Sequence, residues 1–214
     1  MEPKTLDHVA LWVADRDPIA DFATEHLGMH VIDRTDAFTL IGADARRGKL
    51  TLFEAEDPRE RGALKHVALR VRDGEETEHD VGEGLVIKVV RAETDLDFDL
   101  DHVALYSAKP ADTADEYLRL GFDAAPRRDG VPRVQVGGAF VEFHQGDPGD
   151  PERPLLNHLA VLVDSAEEHR SAAEELGIEV ADFVDAPNTL AVFLWGPERV
   201  KIEYVEHKPT FSLV

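Results

Sequence analysis

Cysteine is absent from this 214-residue chain. That excludes disulfides, thiolate nucleophiles and thiolate-held metals, so any metal must be bound through nitrogen and oxygen. Basic charge is scarce as well: 23 basic residues, only 7 of them lysine, stand against 44 acidic ones, for a net charge of −21. A surface of that sign repels nucleic acid and anionic lipid, so neither is expected as a partner. No stretch approaches the ~18 apolar residues of a membrane span. The opening Met-Glu-Pro-Lys-Thr-Leu-Asp lacks the basic and apolar regions of a signal peptide, and the chain reads as cytoplasmic. The acids are interleaved with regular apolar patterns, as at Asp15, Asp17, Glu167 and Glu168, so disorder does not explain them. A salt-rich cytoplasm does, because strong screening tolerates self-repulsion; a halophilic source is expected.

What is present is a repeat. Leu-Asp-His-Val-Ala-Leu occurs at 6–11 and again, unchanged, at 100–105, with variants Leu-Lys-His-Val-Ala-Leu at 64–69 and Leu-Asn-His-Leu-Ala-Val at 156–161. An internal repeat decides architecture before finer features do. Each phrase alternates with period two, the mark of a half-buried strand. Val9, Leu11 and Val13 point one way, and His8, Ala10 and Trp12 the other. Val103 and Leu105 likewise oppose His102, Ala104 and Tyr106, and Leu159, Val161 and Val163 oppose His158, Ala160 and Leu162. The Val/Leu face suits packing under a helix, which leaves the histidines His8, His66, His102 and His158 on the opposite face.

Helices are predicted over 17–27, opened by Asp17-Pro18 and closed by Gly28, over 111–120, ending at Gly121, and over 165–176, from Ser165 to Gly177. Strand-like runs follow at 37–42, 49–54, 133–136, 139–144, 190–195 and 199–205. Modules one, three and four therefore read as βαβββ. Module two (64–91) is shorter: its helix region contains Gly82 and Gly84, with room for one strand after it. The acidic stretch 93–99 joins the halves, and 146–154 links modules three and four. The expected domains are an N-terminal module pair, 1–95, and a C-terminal pair, 96–214.

A tandem βαβββ unit with a histidine in its first strand resembles the vicinal-oxygen-chelate superfamily, which includes glyoxalase I, extradiol dioxygenases, methylmalonyl-CoA epimerase and the fosfomycin- and bleomycin-resistance proteins. The resemblance covers nearly the whole chain and is weakest over 70–98. It implies an α+β fold of four tandem modules, paired into two cup-shaped sheets with the first-strand histidines facing inward. Trp195-Gly-Pro-Glu-Arg-Val-Lys-Ile-Glu203 is similar to the closing hairpin of these modules, whose glutamate is a metal ligand.

On that basis His102, His158, Glu203 and Glu142 are expected to converge in the C-terminal cup. Two imidazoles with one or two carboxylates suit a divalent metal, and two histidines with one carboxylate make the facial arrangement of non-haem Fe(II) oxygenases. His144 lies on the face of Glu142 and is a candidate acid–base group, as is Glu142 itself. In the N-terminal half Thr51 stands where module three has Glu142, and module two offers no closing glutamate; His8 and His66 therefore read as relics or structural residues. Tyr106, Phe193 and Trp195 are candidates to line the substrate pocket.

Three functions fit the resemblance. An extradiol ring-cleaving dioxygenase would use Fe(II) or Mn(II) on a catechol-type small molecule. Against it, those enzymes carry a tyrosine ten residues before the ligand glutamate, where this chain has Phe193. A glyoxalase-like lyase or an epimerase, using Zn(II) or Ni(II), would stabilise an enediolate and shuttle a proton through carboxylates. Against that, the arginine four residues after the first glyoxalase histidine is here Tyr106. A metal-free binding protein of the bleomycin-resistance type is the third. Paired-module proteins often form homodimers, although four modules in one chain can complete their own cups.

Overall fold

The computed structural model describes residues 2–214. Module one comprises β1 (Thr5–Val13), α1 (Arg16–His26), β2 (His30–Arg34), β3 (Phe38–Gly42) and β4 (Lys49–Glu54). Module two comprises β5 (Leu64–Val71), β6 (Thr77–Asp80) and β7 (Val86–Arg91). Module three follows with β8 (Asp99–Ser107), α2 (Pro110–Arg119), β9 (Asp123–Ala124), β10 (Arg133–Val136) and β11 (Ala139–Gln145). Module four contains β12 (Leu156–Leu162), α3 (Ala166–Glu175), β13 (Val180–Asp185), β14 (Thr189–Trp195) and β15 (Lys201–His207). The architecture is α+β, with two mixed sheets and few helices. No described helix is long and apolar enough to cross a membrane.

Helices α1 and α3 begin at capping side chains, whereas α2 opens on Pro110 after Lys109 with no side-chain cap. Ser165 accepts a hydrogen bond from the Glu168 amide, as an N-cap should. At α1 the cap is Asp15 rather than Asp17: its side chain accepts from the Asp17 amide, which puts Asp17 in the first turn. The α1 chain turns out at Gly28, whose φ of +63° only glycine adopts without strain. Module two forms no helix. Its glycines occupy the turn between β6 and β7, with φ +97° at Gly82 and +78° at Gly84.

The strand order corrects the expected pairing. One sheet runs β13-β14-β15-β12-β1-β4-β3-β2 and the other β6-β7-β5-β8-β11-β10-β9. Module one thus pairs with module four, and module two with module three, so the division into 1–95 and 96–214 does not describe the sheets. The central pairs, β1 with β12 and β5 with β8, are antiparallel. Polar contacts specific to this pairing hold it: Arg70 on β5 donates to Asp99 on β8 (2.5 Å) and to the Gly138 carbonyl (2.5 Å). The Lys4 amide donates to the Leu162 carbonyl across β1 and β12 (2.8 Å).

Period-two alternation sorts the faces as the sequence indicates. Val9, Leu11, Val67, Leu69, Val103, Leu105, Leu159 and Val161 are fully buried in one apolar core common to both sheets and the helices. The Tyr204 hydroxyl donates to the Leu120 carbonyl at 2.5 Å, tying β15 to the end of α2 across that core. Each cup is therefore the sheet face turned away from the shared core.

Candidate metal centre

In every histidine phrase an alanine lies two residues after the histidine, on the same face. Register explains its use: Ala160 stands opposite Glu203 on β15 and opposite His8 on β1, while Ala10 stands opposite His158. The small side chains leave space above the sheet, and His8, His158 and Glu203 lean into it. Their ligand atoms form a nearly equilateral triangle: His8 Nε2 to His158 Nε2 is 3.1 Å, His8 Nε2 to Glu203 Oε2 3.1 Å, and His158 Nε2 to Glu203 Oε2 2.9 Å. These three are a potential metal-holding group among the described residues.

The surrounding hydrogen bonds fix the protonation of the rings. His8 Nδ1 donates to Asp7 Oδ1 at 2.7 Å, and His158 Nδ1 donates to Asn157 Oδ1 at 3.1 Å. In the neutral rings both Nε2 atoms then carry lone pairs, aimed at each other and at a carboxylate oxygen. Three such atoms about 3 Å apart repel unless a proton or a metal cation lies among them. A histidine whose second nitrogen is bonded to a carboxylate or amide oxygen is also how proteins orient metal ligands. The residues therefore fit a divalent metal, to which they would offer two imidazole nitrogens and one carboxylate oxygen.

A buried network supports His8. Asp7, 1 % exposed, takes Lys49 Nζ on both oxygens, at 2.9 and 3.0 Å, and Lys49 also donates to the Ala45 carbonyl at 2.8 Å. His207 Nε2 lies 3.0 Å from Asp7 Oδ2, although not aligned for a hydrogen bond, and its ring stacks on Phe211. Burial pushes the Asp7 carboxyl up, but Lys49, His207 and His8 outweigh it and hold it well below the usual carboxylate range. Burial opposes charge on His8 too, yet Glu203 and Asp7 prevail and raise it to about 9. Glu203 is likewise pushed up by burial, but His8 and His158 bring it down to about 2. Burial lowers His158, against the pull of Glu203.

Without metal, then, one proton resides on His8 below pH 9, and metal uptake must displace it. Affinity should climb about tenfold per pH unit from neutrality to about pH 9 and level off above it. Titration calorimetry at pH 7 in buffers of different ionisation heat should count about one proton released per metal. A count of zero would show that His8 is already neutral.

Aromatic side chains enclose this cup. The Phe193 and Phe53 rings lie 5.2 and 6.2 Å from that of His158, Trp12 packs on Phe53 at 5.3 Å, and Phe38 lies beyond at 5.9 Å. Phe193 also packs against a small buried cluster of Ala160, Ala191 and Val205. Lys201, half-buried and opposite His158 in register, has its ammonium 5.8 Å from the Trp195 ring and no hydrogen-bond or ion-pair partner among the described residues.

The site expected from the sequence is thus divided between two sheets. His158 and Glu203, with Phe193 and Trp195, belong to the cup of modules one and four. His102, Glu142, His144 and Tyr106 belong to the cup of modules two and three and do not reach them. His8, expected to be a relic or a structural residue, supplies the third candidate ligand atom. The cause is the module pairing, which gives each cup one glutamate-bearing module and one without. Asp7, Lys49, Phe53 and His207 escaped the sequence reading. For Asp7 a signal existed, since the same aspartate precedes the histidine at Asp101, where it accepts from His102 Nδ1 at 2.6 Å.

Residues 5–82 match the family model of the Glyoxalase/Bleomycin resistance protein/Dioxygenase superfamily. No curated protein matches the chain in sequence. Among solved structures, a Bacillus subtilis protein described as a "putative dioxygenase" aligns over 98 % of this chain and 87 % of its own, with TM-score 0.75 and 14 % identity. Glyoxalase I from Zea mays aligns over 94 % and 92 % with TM-score 0.71 and 16 % identity. The cppA protein of Streptococcus pneumoniae aligns over 96 % and 98 % with TM-score 0.60 and 16 % identity. At these identities the likeness is one of fold. The chain has the paired-module fold of the vicinal-oxygen-chelate superfamily and, over residues 5–82, the sequence pattern of its Glyoxalase/Bleomycin resistance protein/Dioxygenase family.

Proposed function

We propose that the cup of modules one and four holds Fe(II) or Mn(II) through His8, His158 and Glu203 and cleaves the ring of a catechol-type small molecule. The observation that carries this reading is the triangle itself: two imidazoles and a single carboxylate whose candidate ligand atoms lie 2.9 to 3.1 Å apart. A bound metal of this kind supplies Lewis-acid polarisation of two adjacent substrate oxygens and redox chemistry with dioxygen.

The chain's own residues do the rest. Phe53, Phe193 and Trp12 offer apolar ring faces and edges beside His158, which favour a flat aromatic substrate over a flexible one. Asp7 and Asn157 hold the two imidazoles in the lone-pair tautomer that faces the metal. Burial lowers Lys201 below the usual amine range, against Asp182 and Glu203, and its ammonium can pair with an acidic substituent or an ionised catechol oxygen.

A lyase or epimerase reading needs a carboxylate free to move a proton once the metal is held. In this cup the position matching a second glutamate is Thr51, buried opposite Ala10 on β1. That favours ring cleavage over enediolate chemistry. The acid–base role expected for His144 does not carry over, because His144 lies in the other cup.

The test is anaerobic loading with Fe(II) or Mn(II), then a screen of catechol, 4-methylcatechol, 2,3-dihydroxybiphenyl and 3,4-dihydroxybenzoate by oxygen uptake and yellow product. At least one should consume oxygen mole for mole, with rates falling by more than about 100-fold in Glu203→Ala, which removes a ligand. Oxygen-independent turnover of a hemithioacetal with Ni(II) or Zn(II) would move the protein to the lyases. A chain that takes up none of these metals would be a binding protein of the resistance type.

A further inference from the structure

The cup of modules two and three repeats the fold of the first with a different chemistry. His66 Nε2 and His102 Nε2 are 3.0 Å apart, as their counterparts are, but Glu142 Oε2 stands back at 3.8 Å from His102. His102 Nδ1 donates to Asp101, so its Nε2 carries the lone pair, and His66 Nε2–H can donate to it. One proton satisfies this pair without any cation. On β7 the position opposite Ala68, where the other modules place Thr51, Glu142 or Glu203, is Lys88. An ammonium there repels a metal. Burial, and then the charge of His102, Lys88 and Lys65, drives His66 down to about 3, which reports the same hostility to cations.

Two polar atoms in this cup have no hydrogen-bond partner. Lys65 Nζ donates to His144 Nδ1 at 2.9 Å, and because an ammonium only donates, His144 must carry its hydrogen on Nε2. That Nε2–H is buried without a hydrogen bond, 3.5 Å from Glu142 Oε2 and poorly placed for it. Glu142, 6 % exposed, has its Oε1 unpaired as well; the nearest cation given to it, Arg133, stands at 3.9 Å. Leaving such groups unmet in a folded protein is costly, and two of them beside one cavity point to a water, an ion or a ligand between them. Both line a cavity of about 400 Å³, within the range of small-molecule sites. Lys65, Lys88 and Arg128 line it too, with Glu78 holding Lys88 at 2.8 Å.

We propose that this second cup is a metal-free binding site for a small hydroxy- or amino-carboxylate. The carboxylate of the ligand would accept from His144 Nε2–H and from Lys65 or Lys88, and its hydroxyl or ammonium would donate to Glu142 Oε1. Neither half of that ligand suffices alone: a simple acid leaves Glu142 Oε1 unmet, and a diol gives the His144 Nε2–H and its neighbouring lysines no carboxylate.

Calorimetric titration of the whole chain, stripped of metal by chelator and then freed of it, tests the assignment with lactate, glycerate, malate, serine and alanine as probes. Propionate and 1,2-propanediol serve as half-matched controls. At least one hydroxy or amino acid should bind at least about tenfold tighter than either control, since the controls leave a buried group unpaired. Lys88→Met and the isosteric Glu142→Gln should each weaken it by about tenfold or more, while His8→Ala should not change it. Circular dichroism melting of each variant checks that a loss is not unfolding, and Lys88, being part-exposed, is the safer of the two substitutions. Failure of every acid in the panel overturns the proposal. So does binding that survives both substitutions, or binding lost in His8→Ala, which would place the ligand in the first cup. Retention of Ni(II) by His8→Ala, abolished by Glu142→Gln, would make this cup a second metal site instead.

Discussion

His8→Ala should strip the protein of its metal. The substitution deletes one vertex of a triangle whose other two atoms, on His158 and Glu203, lie 3.1 Å from the lost nitrogen. Loss of an outer hydrogen-bond partner alone costs about 10- to 100-fold in metal affinity, so loss of the ligand itself should exceed about 100-fold. Glu203→Ala and His158→Ala should behave alike. His102→Ala and Glu142→Gln, on the other sheet, should leave metal content unchanged. Elemental analysis after dialysis, on protein purified without affinity nickel, reads the difference directly. Metal that survives His8→Ala but not His102→Ala would sink the assignment of the site to modules one and four.

The second large effect belongs to Asp7, which touches no ligand atom of the triangle except through His8. Removing its carboxylate in Asp7→Ala leaves the Lys49 ammonium, 3 % exposed, with the Ala45 carbonyl as its one remaining hydrogen-bond partner. Stranding one member of a buried ion pair costs about 3–5 kcal/mol, a large part of a domain's net stability. The same change frees His8 to rotate or to take the other tautomer, which should weaken metal binding by about 10- to 100-fold. Urea unfolding of the metal-free protein isolates the first effect from the second. Adding Lys49→Met to Asp7→Ala should restore part of the stability, since a matched apolar pair tolerates burial, but none of the metal affinity. A loss below about 1 kcal/mol in Asp7→Ala would mean that water or a neighbour replaces the pairing.

How far the sequence carried the fold can be seen at individual positions. Strands and helices were legible because alternation and caps act locally: Val9 and Leu11 face the core as their period requires, and Ser165 caps α3. The absence of a helix in module two was foreshadowed by Gly82 and Gly84 without being stated outright. The partner of each strand was not legible, because the four histidine phrases are nearly the same and any two could form a central antiparallel pair. Long-range contacts such as Arg70 with Asp99 make the choice, and alternation contains no trace of them. The site inherits this uncertainty. His158, Glu203, Phe193 and Trp195 share one sheet because all four lie in module four, whereas His102 and Glu142 were joined to them by assuming that neighbours in sequence are neighbours in space. Thr51, read as a mark of decay, instead distinguishes a one-carboxylate cup from a two-carboxylate one.

The nested strand order has a consequence for how the protein is made. The cup of modules two and three draws only on strands between β5 and β11, so a ribosome can finish it while module four is still unwritten. The other cup needs β1, which emerges early, and β15, which emerges near the end. Until then β1 is a strand with one long edge waiting for β12, exposed to pairing with the wrong chain. Its four like-sounding phrases make the wrong partner easy to find, and prompt closure of the inner sheet removes two of them from competition. Glu203 emerges last of the triangle, so a nascent or shortened chain without β15 has only two of the three candidate ligands.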